Sequence, residues 1–487
     1  MIHPTGGLGS VCGGKAMALG ALFRWRRQSG GDRAIAGGCR PAGRKRLSFR
    51  DVRAAWFAAV CSASLIATGG EAAAQSPPSP AGRSGSTETV AAVSGNPAAT
   101  TFSTGTGWLG RQLGLRDEWG VTLGGVWLAD TNLVAAGGAQ PGGWTNNSAL
   151  FVGLAIDANK LVGWQGASFG FQFLQLNAGN TNGEAGSVQG YNGIVGPTPF
   201  NRTELFEAWY AQEMIKDVLK IRIGRVNPGA DFNNVLRPVT FTDSNQNIPS
   251  VSGLIYSTVF ANGTLIGSLP GYYNSGNGVT VNFTPTKSFY LNLGVYDGNN
   301  ALRVQTGMVP PSFNGYYFNI GEIGTNWTLG EGHHPGQFGI GLWHQTGILT
   351  APGVTQDGAG GVYLFGSQRI AHGVNERVPS SGITSFFQFG ASNAQTPPIN
   401  QYYGAGLTGF GLIGDRPLDS MGFGAALSRL NPVLFARPYE LMFQAYYQAH
   451  LFAATFLQPT VSFIPTPGAV PDLPPTLTTT LRLTVLF

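Results

Sequence analysis

The segment LTTTLRLTVLF, residues 477–487, alternates strictly, with Leu477, Leu481, Leu483, Val485 and Phe487 on one parity and Thr478, Thr480, Arg482 and Thr484 on the other. A period of two means an extended strand with two unlike faces. Two environments make such a strand. In a soluble sheet the apolar face meets a core and the polar face bulk water; in an outer-membrane barrel the apolar face meets lipid and the polar face a wet lumen.

The same pattern recurs along the chain, punctuated by Gly, Pro, Asn and Asp. In 278–285, Val279, Val281 and Phe283 oppose Thr280, Asn282 and Thr284; in 289–298, Phe289, Leu291, Leu293 and Val295 oppose Tyr290, Asn292 and Tyr296. The short link 285–288 makes these a hairpin. Segments 337–345, 439–451 and 456–464 alternate likewise. Composition decides between the two environments. Of 487 residues only 11% are charged, too few to keep a soluble sandwich of this length dissolved. No apolar run reaches the ~18 residues of a spanning helix. The expected fold is therefore all-β, a transmembrane antiparallel β-barrel. A spanning strand takes about 9–11 residues, and about 22–24 with its share of connections, so residues 121–487 hold about 16 strands, enough to enclose an aqueous channel. Connections are tight, as at 285–288, or long, as at 176–201 and 465–475. Short turns are expected in the periplasm and longer loops outside.

The beginning of the chain reads differently. Residues 44–80 place a basic stretch before an apolar segment from about Ala54 to Thr68, then Ala72, Ala73 and Ala74 before Gln75. That is the order of a secretory signal, with cleavage expected after Ala74 and residues 1–74 as leader. The part ahead of the signal is overlong, so translation is expected to start later, with Leu47 and Val52 as alternative start positions. The leader holds 11 of the 29 Lys+Arg and 3 of the 24 Asp+Glu, leaving 18 basic and 21 acidic groups, a net −3, on the exported chain. A nucleic-acid partner is excluded on that charge. Cys12, Cys39 and Cys61 all precede the cut, so no disulfide is available for export. Residues 75–107 read as a flexible Ser/Pro/Gly-rich lead-in. Residues 108–120 suit a short periplasmic helix or turn before the barrel at 121–487.

Residues 204–232, ELFEAWYAQEMIKDVLKIRIGRVNPGADF, are the richest in chemistry. A turn at 216–218 puts Phe206, Ala208 and Tyr210 on the outer face and Glu207, Trp209 and Glu213 inside. The returning strand sends Leu219, Ile221 and Ile223 outward and Lys220 and Arg222 inward. Trp offers a flat apolar face to the C–H side of a sugar ring, while Arg and Glu donate to and accept from hydroxyls. A plain cross-strand ion pair accounts for the same charges. Asp231 and Arg237 follow in NPGADFNNVLRP, whose Pro and Gly suggest a loop able to fold into the barrel mouth, and Arg482 points inward by parity. Trp164, Tyr256, Phe313, Tyr316, Tyr317 and Phe318 read as interfacial girdle residues. The five histidines after the leader show no metal-ligand spacing, and GLIGDRPLDSMGFG at 411–424 reads as a hairpin turn around Asp415, Arg416 and Pro417. No catalytic residue, metal or cofactor is expected.

The segments FEAWYAQ, KIRIGRVNPGADF, GLIGDRPLDSMGFGAAL, YELMFQAYYQ and LQPTVSFIPTPGA, in this order, resemble the carbohydrate-selective porin (OprB) family over about residues 108–487. The resemblance implies a 16-stranded outer-membrane barrel, with inward-folded loops and charged side chains narrowing the lumen for passive uptake of mono- or oligosaccharides. It also implies that Phe487 serves as a recognition signal for the barrel assembly machinery. The expected lumen contacts are Trp209, Glu207 and Arg222, with Asp231, Arg237 and Arg482 contributing. Outer-membrane lipid is the other partner, and a homo-oligomer is left open. The alternatives are a general or anion-selective diffusion porin, a non-transporting structural or adhesin barrel and, last, an outer-membrane hydrolase.

Overall fold

The computed structural model describes residues 106–195, 199–233, 235, 253–270, 274–330 and 333–487. The leader, the lead-in as far as residue 105, and Arg237 lie outside them. Among the described residues sixteen strands, β1 (Val121–Ala136) to β16 (Thr476–Leu486), close into one barrel in which each strand pairs antiparallel with its sequence neighbours and β16 returns to β1. No helix among them is long and apolar enough to cross a membrane.

The closing seam follows the alternation of the last segment. Leu481 faces outward at 48% exposure, whereas Thr480, Arg482 and Thr484 are buried on the inner face. The ladder runs on past the strand: Gly125 N donates to Phe487 O at 2.7 Å and Phe487 N to Gly125 O at 3.0 Å. The Phe487 ring lies on the bare backbone of Gly125, where a Cβ would stand 2.6 Å from ring atom Cε2. Beyond that point Gly107 N donates to Leu123 O at 3.1 Å, so the chain ahead of β1 covers part of an edge that β16 is too short to reach. A short helix, Trp108–Gln112, and a 3-10 turn, Asp117–Trp119, follow.

Connections at the rim where β1 begins and β16 ends are short: 216–218, 287–288, 330–333 and 453–454, with nine-residue links at 158–166, 373–381 and 411–419. The opposite rim carries the long loops 178–201, 227–275, 298–316 and 465–475. Its other connections are 137–143, 393–398, 431–438 and one tight turn. β9 (His334–Ala351) and β10 (Val354–His372) run 18 and 19 residues into a link at 352–353. β9 pairs with β8 (Tyr317–Leu329) only through Gln345; beyond it the hairpin tip is tied to its neighbours by side chains, Tyr316 Oη donating to Ile348 O at 3.1 Å and Gln356 Nε2 to Asn393 O at 3.1 Å, while Gln356 Oε1 accepts from Gln395 N at 2.7 Å.

Strand parity fails at one informative place. The register between β3 (Ala167–Asn177) and β4 (Arg202–Ile215) shifts between Gln172 and Phe173, leaving Phe206 as an extra residue on β4. Such a bulge turns the strand by one position. Phe206 therefore points inward, against the outward placement expected from simple alternation: it is 1% exposed and packs edge-on to Phe151, ring centroids 6.0 Å apart, while Leu205 is 47% exposed. Two expected girdle aromatics are also interior. Tyr256 sits on a loop folded into the barrel, and Phe318 faces inward to stack on Trp343 at 5.9 Å. Trp164 does lie on the outer surface, against Phe169 and Tyr210.

The inner face is less uniformly polar than alternation with Thr, Gln and Asn implies, because the loops bring their own apolar side chains inside. Val126, Ala149, Phe151, Leu174, Leu176 and Phe206 cluster with Ile194 of loop 178–201. A larger cluster joins Phe232, Leu254, Val259 and Leu265 of loop 227–275 to wall residues such as Phe318, Tyr363 and Phe365. The two loops also bond to each other, Gly193 N to Ile255 O at 2.6 Å and Ser257 N to Gly190 O at 2.8 Å.

Candidate functional site

The tight turn at 216–218 sets β4 beside β5 (Leu219–Val226) with Ala211 opposite Arg222 and Trp209 opposite Gly224. Just beyond β5, Asn227, Pro228 and Gly229 bend the chain inward, the Asn227 side chain accepting from Gly229 N at 3.1 Å. That bend brings Asp231 back to Arg222, and the two form an ion pair whose side chains are 12% and 13% exposed respectively. The Arg222 guanidinium lies over Trp209, 5.4 Å from the ring centroid, within cation–π range. Glu207 completes the group by accepting from Asn227 N at 2.5 Å, so that the bend hangs from its carboxylate. Asn292 Nδ2 donates to Asp231 O at 2.9 Å and ties the loop to the next part of the wall.

Trp209 lies across Gly170 on β3, where a Cβ would stand 2.2 Å from ring atom Cζ2. Any larger residue at 170 would push the ring away. Four of the expected residues, Glu207, Trp209, Arg222 and Asp231, therefore meet at one point of the wall, where loop 227–275 enters the lumen. Charges there nearly balance, with Arg222 and the inward Lys220 against Glu207, Glu213 and Asp231. Such a surface presents donors, acceptors and an aromatic ring without a strong field of either sign.

Arg482 is not part of this group. It stands four strands round the wall from β4 and five from β5, opposite Asp130 in the β1–β16 seam, and donates through Nε and Nη2 to the two carboxylate oxygens at 2.7 Å each. Asp130 also accepts from Asn192 of loop 178–201 at 2.8 Å. The arginine thus reaches toward the lumen, as parity requires, and is engaged in closing the barrel.

A residue missed by sequence reasoning holds the other side of the entry. Glu322, buried at the middle of β8, accepts from Tyr290 Oη at 2.8 Å, from Tyr363 Oη at 2.8 Å and from Asn233 N of loop 227–275 at 2.6 Å. Alternation in YFNIGEIGTN places this carboxylate inside, which was the available signal. Its partners, two tyrosines from different strands and a loop amide, were not readable.

A closed sixteen-strand antiparallel barrel, apolar outside, with charged groups and two folded-in loops inside, is a porin of the bacterial outer membrane. The family model for the carbohydrate-selective porin, OprB family, matches residues 143–487, and the chain belongs to that family. Porin B of Pseudomonas aeruginosa is 23% identical over 405 residues, covering 72% of this chain and 83% of that protein. Among solved structures, the high-pH structure of Pseudomonas putida OprB matches with a TM-score of 0.64 at 19% identity, covering 78% of this chain and 97% of that one. The low-pH structure of the same protein gives 0.50 at 15% identity, covering 81% and 100%. The protein is an outer-membrane porin that passes carbohydrates by passive diffusion.

Proposed function

We propose that Glu207, Trp209, Arg222 and Asp231 form the weak contact site at which this porin selects sugars. The observation that supports it is the meeting of an aromatic ring, a guanidinium and two carboxylates at the root of a lumen loop. The ring edge and face left by Arg222 take the C–H side of a pyranose, while carboxylate oxygens and guanidinium N–H groups exchange hydrogen bonds with its hydroxyls. Near-balanced charge suits a neutral polyol over an ion. Binding stays weak because a solute that is held cannot pass. Arg237 remains a proposed contributor from the same loop. The chain acts as a channel with no chemical step.

The Arg222–Asp231 ion pair favours a second role for the same residues, pinning loop 227–275 to β5. Sugar block of single-channel current separates the two. Trp209→Ala weakens block by glucose or maltose with ion conductance kept if the group contacts sugar. An unchanged block concentration removes Trp209 from the site. Liposome swelling no faster than in empty vesicles with glucose outside would remove sugar passage itself.

A further inference from the structure

The inner face of β14 (Tyr439–Phe452) carries Glu440, Met442, Gln444, Tyr446 and Gln448 in the segment YELMFQAYYQ, which the sugar site does not use. Glu440 is 0% exposed. Its Oε1 accepts from Ser187 Oγ at 2.7 Å and Gln189 N at 3.1 Å, and its Oε2 from Val188 N at 2.8 Å and Gly468 N at 2.7 Å. All four donors are uncharged. Three belong to loop 178–201 and the fourth to loop 465–475. Successive backbone N–H groups converging on an anion form a cradle that a carboxylate fills.

The next inward positions continue the attachment. Gln444 Oε1 accepts from Ile255 N of loop 227–275 at 2.6 Å, and its Nε2 donates to Tyr191 O of loop 178–201 at 3.0 Å. From β15 (Thr455–Ile464), Gln458 Nε2 donates to Gly253 O at 2.6 Å. Gln189 reaches across to β13 (Ser420–Leu430), donating to Ala426 O at 3.3 Å and accepting from Ser428 Oγ at 2.9 Å. Loop 178–201 thus leaves β3 and rests its segment 187–191 on the wall formed by β13 and β14. Because the two lumen loops are bonded to each other, whatever fixes the first also limits the second.

We propose that Glu440 is a positioning residue that clamps the lumen loops to β14 and thereby sets the size limit of the pore. The chemistry is specific to a carboxylate. Each oxygen accepts two hydrogen bonds, so Glu440→Gln keeps one accepting oxygen and turns an NH2 group toward two donors. Buried N–H groups that lose their acceptor force the loop to move or let water in.

The test is single-channel recording and liposome swelling on wild type, Glu440→Gln and Ser187→Ala, with folding checked by heat-modifiable mobility on gels. Glu440→Gln is expected to raise conductance at least about twofold and to speed trisaccharide entry relative to glucose, since pore width sets both. Ser187→Ala, which removes one donor from the loop and leaves the wall intact, is expected to move both readings the same way by less. Folded Glu440→Gln with wild-type conductance and wild-type trisaccharide-to-glucose ratio overturns the proposal. If that variant does not fold, Ser187→Ala decides, and wild-type readings there overturn the proposal equally. Conductance reports loop position whatever solute passes, so failure here is distinguishable from failure of the sugar site.

Discussion

The ion pair across the closing seam allows a stability prediction whose size depends on how wet the inner wall is. Asp130 and Arg482 face each other in register, bonded through both carboxylate oxygens at 2.7 Å, with side chains 0% and 8% exposed. Asp130→Ala removes the carboxylate and leaves the guanidinium in a nearly closed space. Breaking a buried pair from one side costs about 3–5 kcal/mol. A solvated pair would cost about 0.2–1 kcal/mol. The burial selects the first range, and the lost Asn192 contact adds to it. Urea unfolding in lipid vesicles, followed by tryptophan emission, measures the difference. Asp130→Ala combined with Arg482→Ala should lose less than the sum of the single changes, because each single change already removes the shared interaction. A loss below about 1 kcal/mol for Asp130→Ala, or additive singles, would show that water solvates Arg482 and that burial was the wrong basis.

Gly170→Val places a branched side chain where the Trp209 ring lies, and is expected to weaken sugar block as Trp209→Ala does while leaving the barrel folded; block measurements on both variants check this. Phe206→Ala, inward behind its bulge, should cost about 3–5 kcal/mol in the same urea titration, and a small loss there would restore the outward assignment. Leu205→Ala, facing out, should cost distinctly less. Deleting Phe487 is expected to lower the assembled amount in cells more than the conductance of refolded protein; equal loss in both would reduce it to a structural anchor on Gly125.

Much of the barrel follows from period-two alternation, since lipid and lumen each select one parity of every strand. Low charge ruled out water as the outer solvent, and counting gave about 16 strands. Alternation also put Glu207, Trp209, Arg222 and Arg482 inside. It failed at Phe206, because a bulge is a mismatch between two strands and leaves no mark on either one alone. The girdle reading misplaced Tyr256 and Phe318, because an aromatic residue near a strand end serves equally in a girdle or under an inward loop.

What the sequence alone determined is the solvent on each face, and with it the class of protein, because those depend only on local periodicity and composition. Tertiary structure decided the partners. Arg482 meets Asp130, 352 positions away, and Glu440 meets Ser187, 253 positions away. Whether a charge inside a barrel touches solute, seals a seam or holds a loop depends on which distant backbone reaches it. That is settled only when the ring closes and the loops fold back into it.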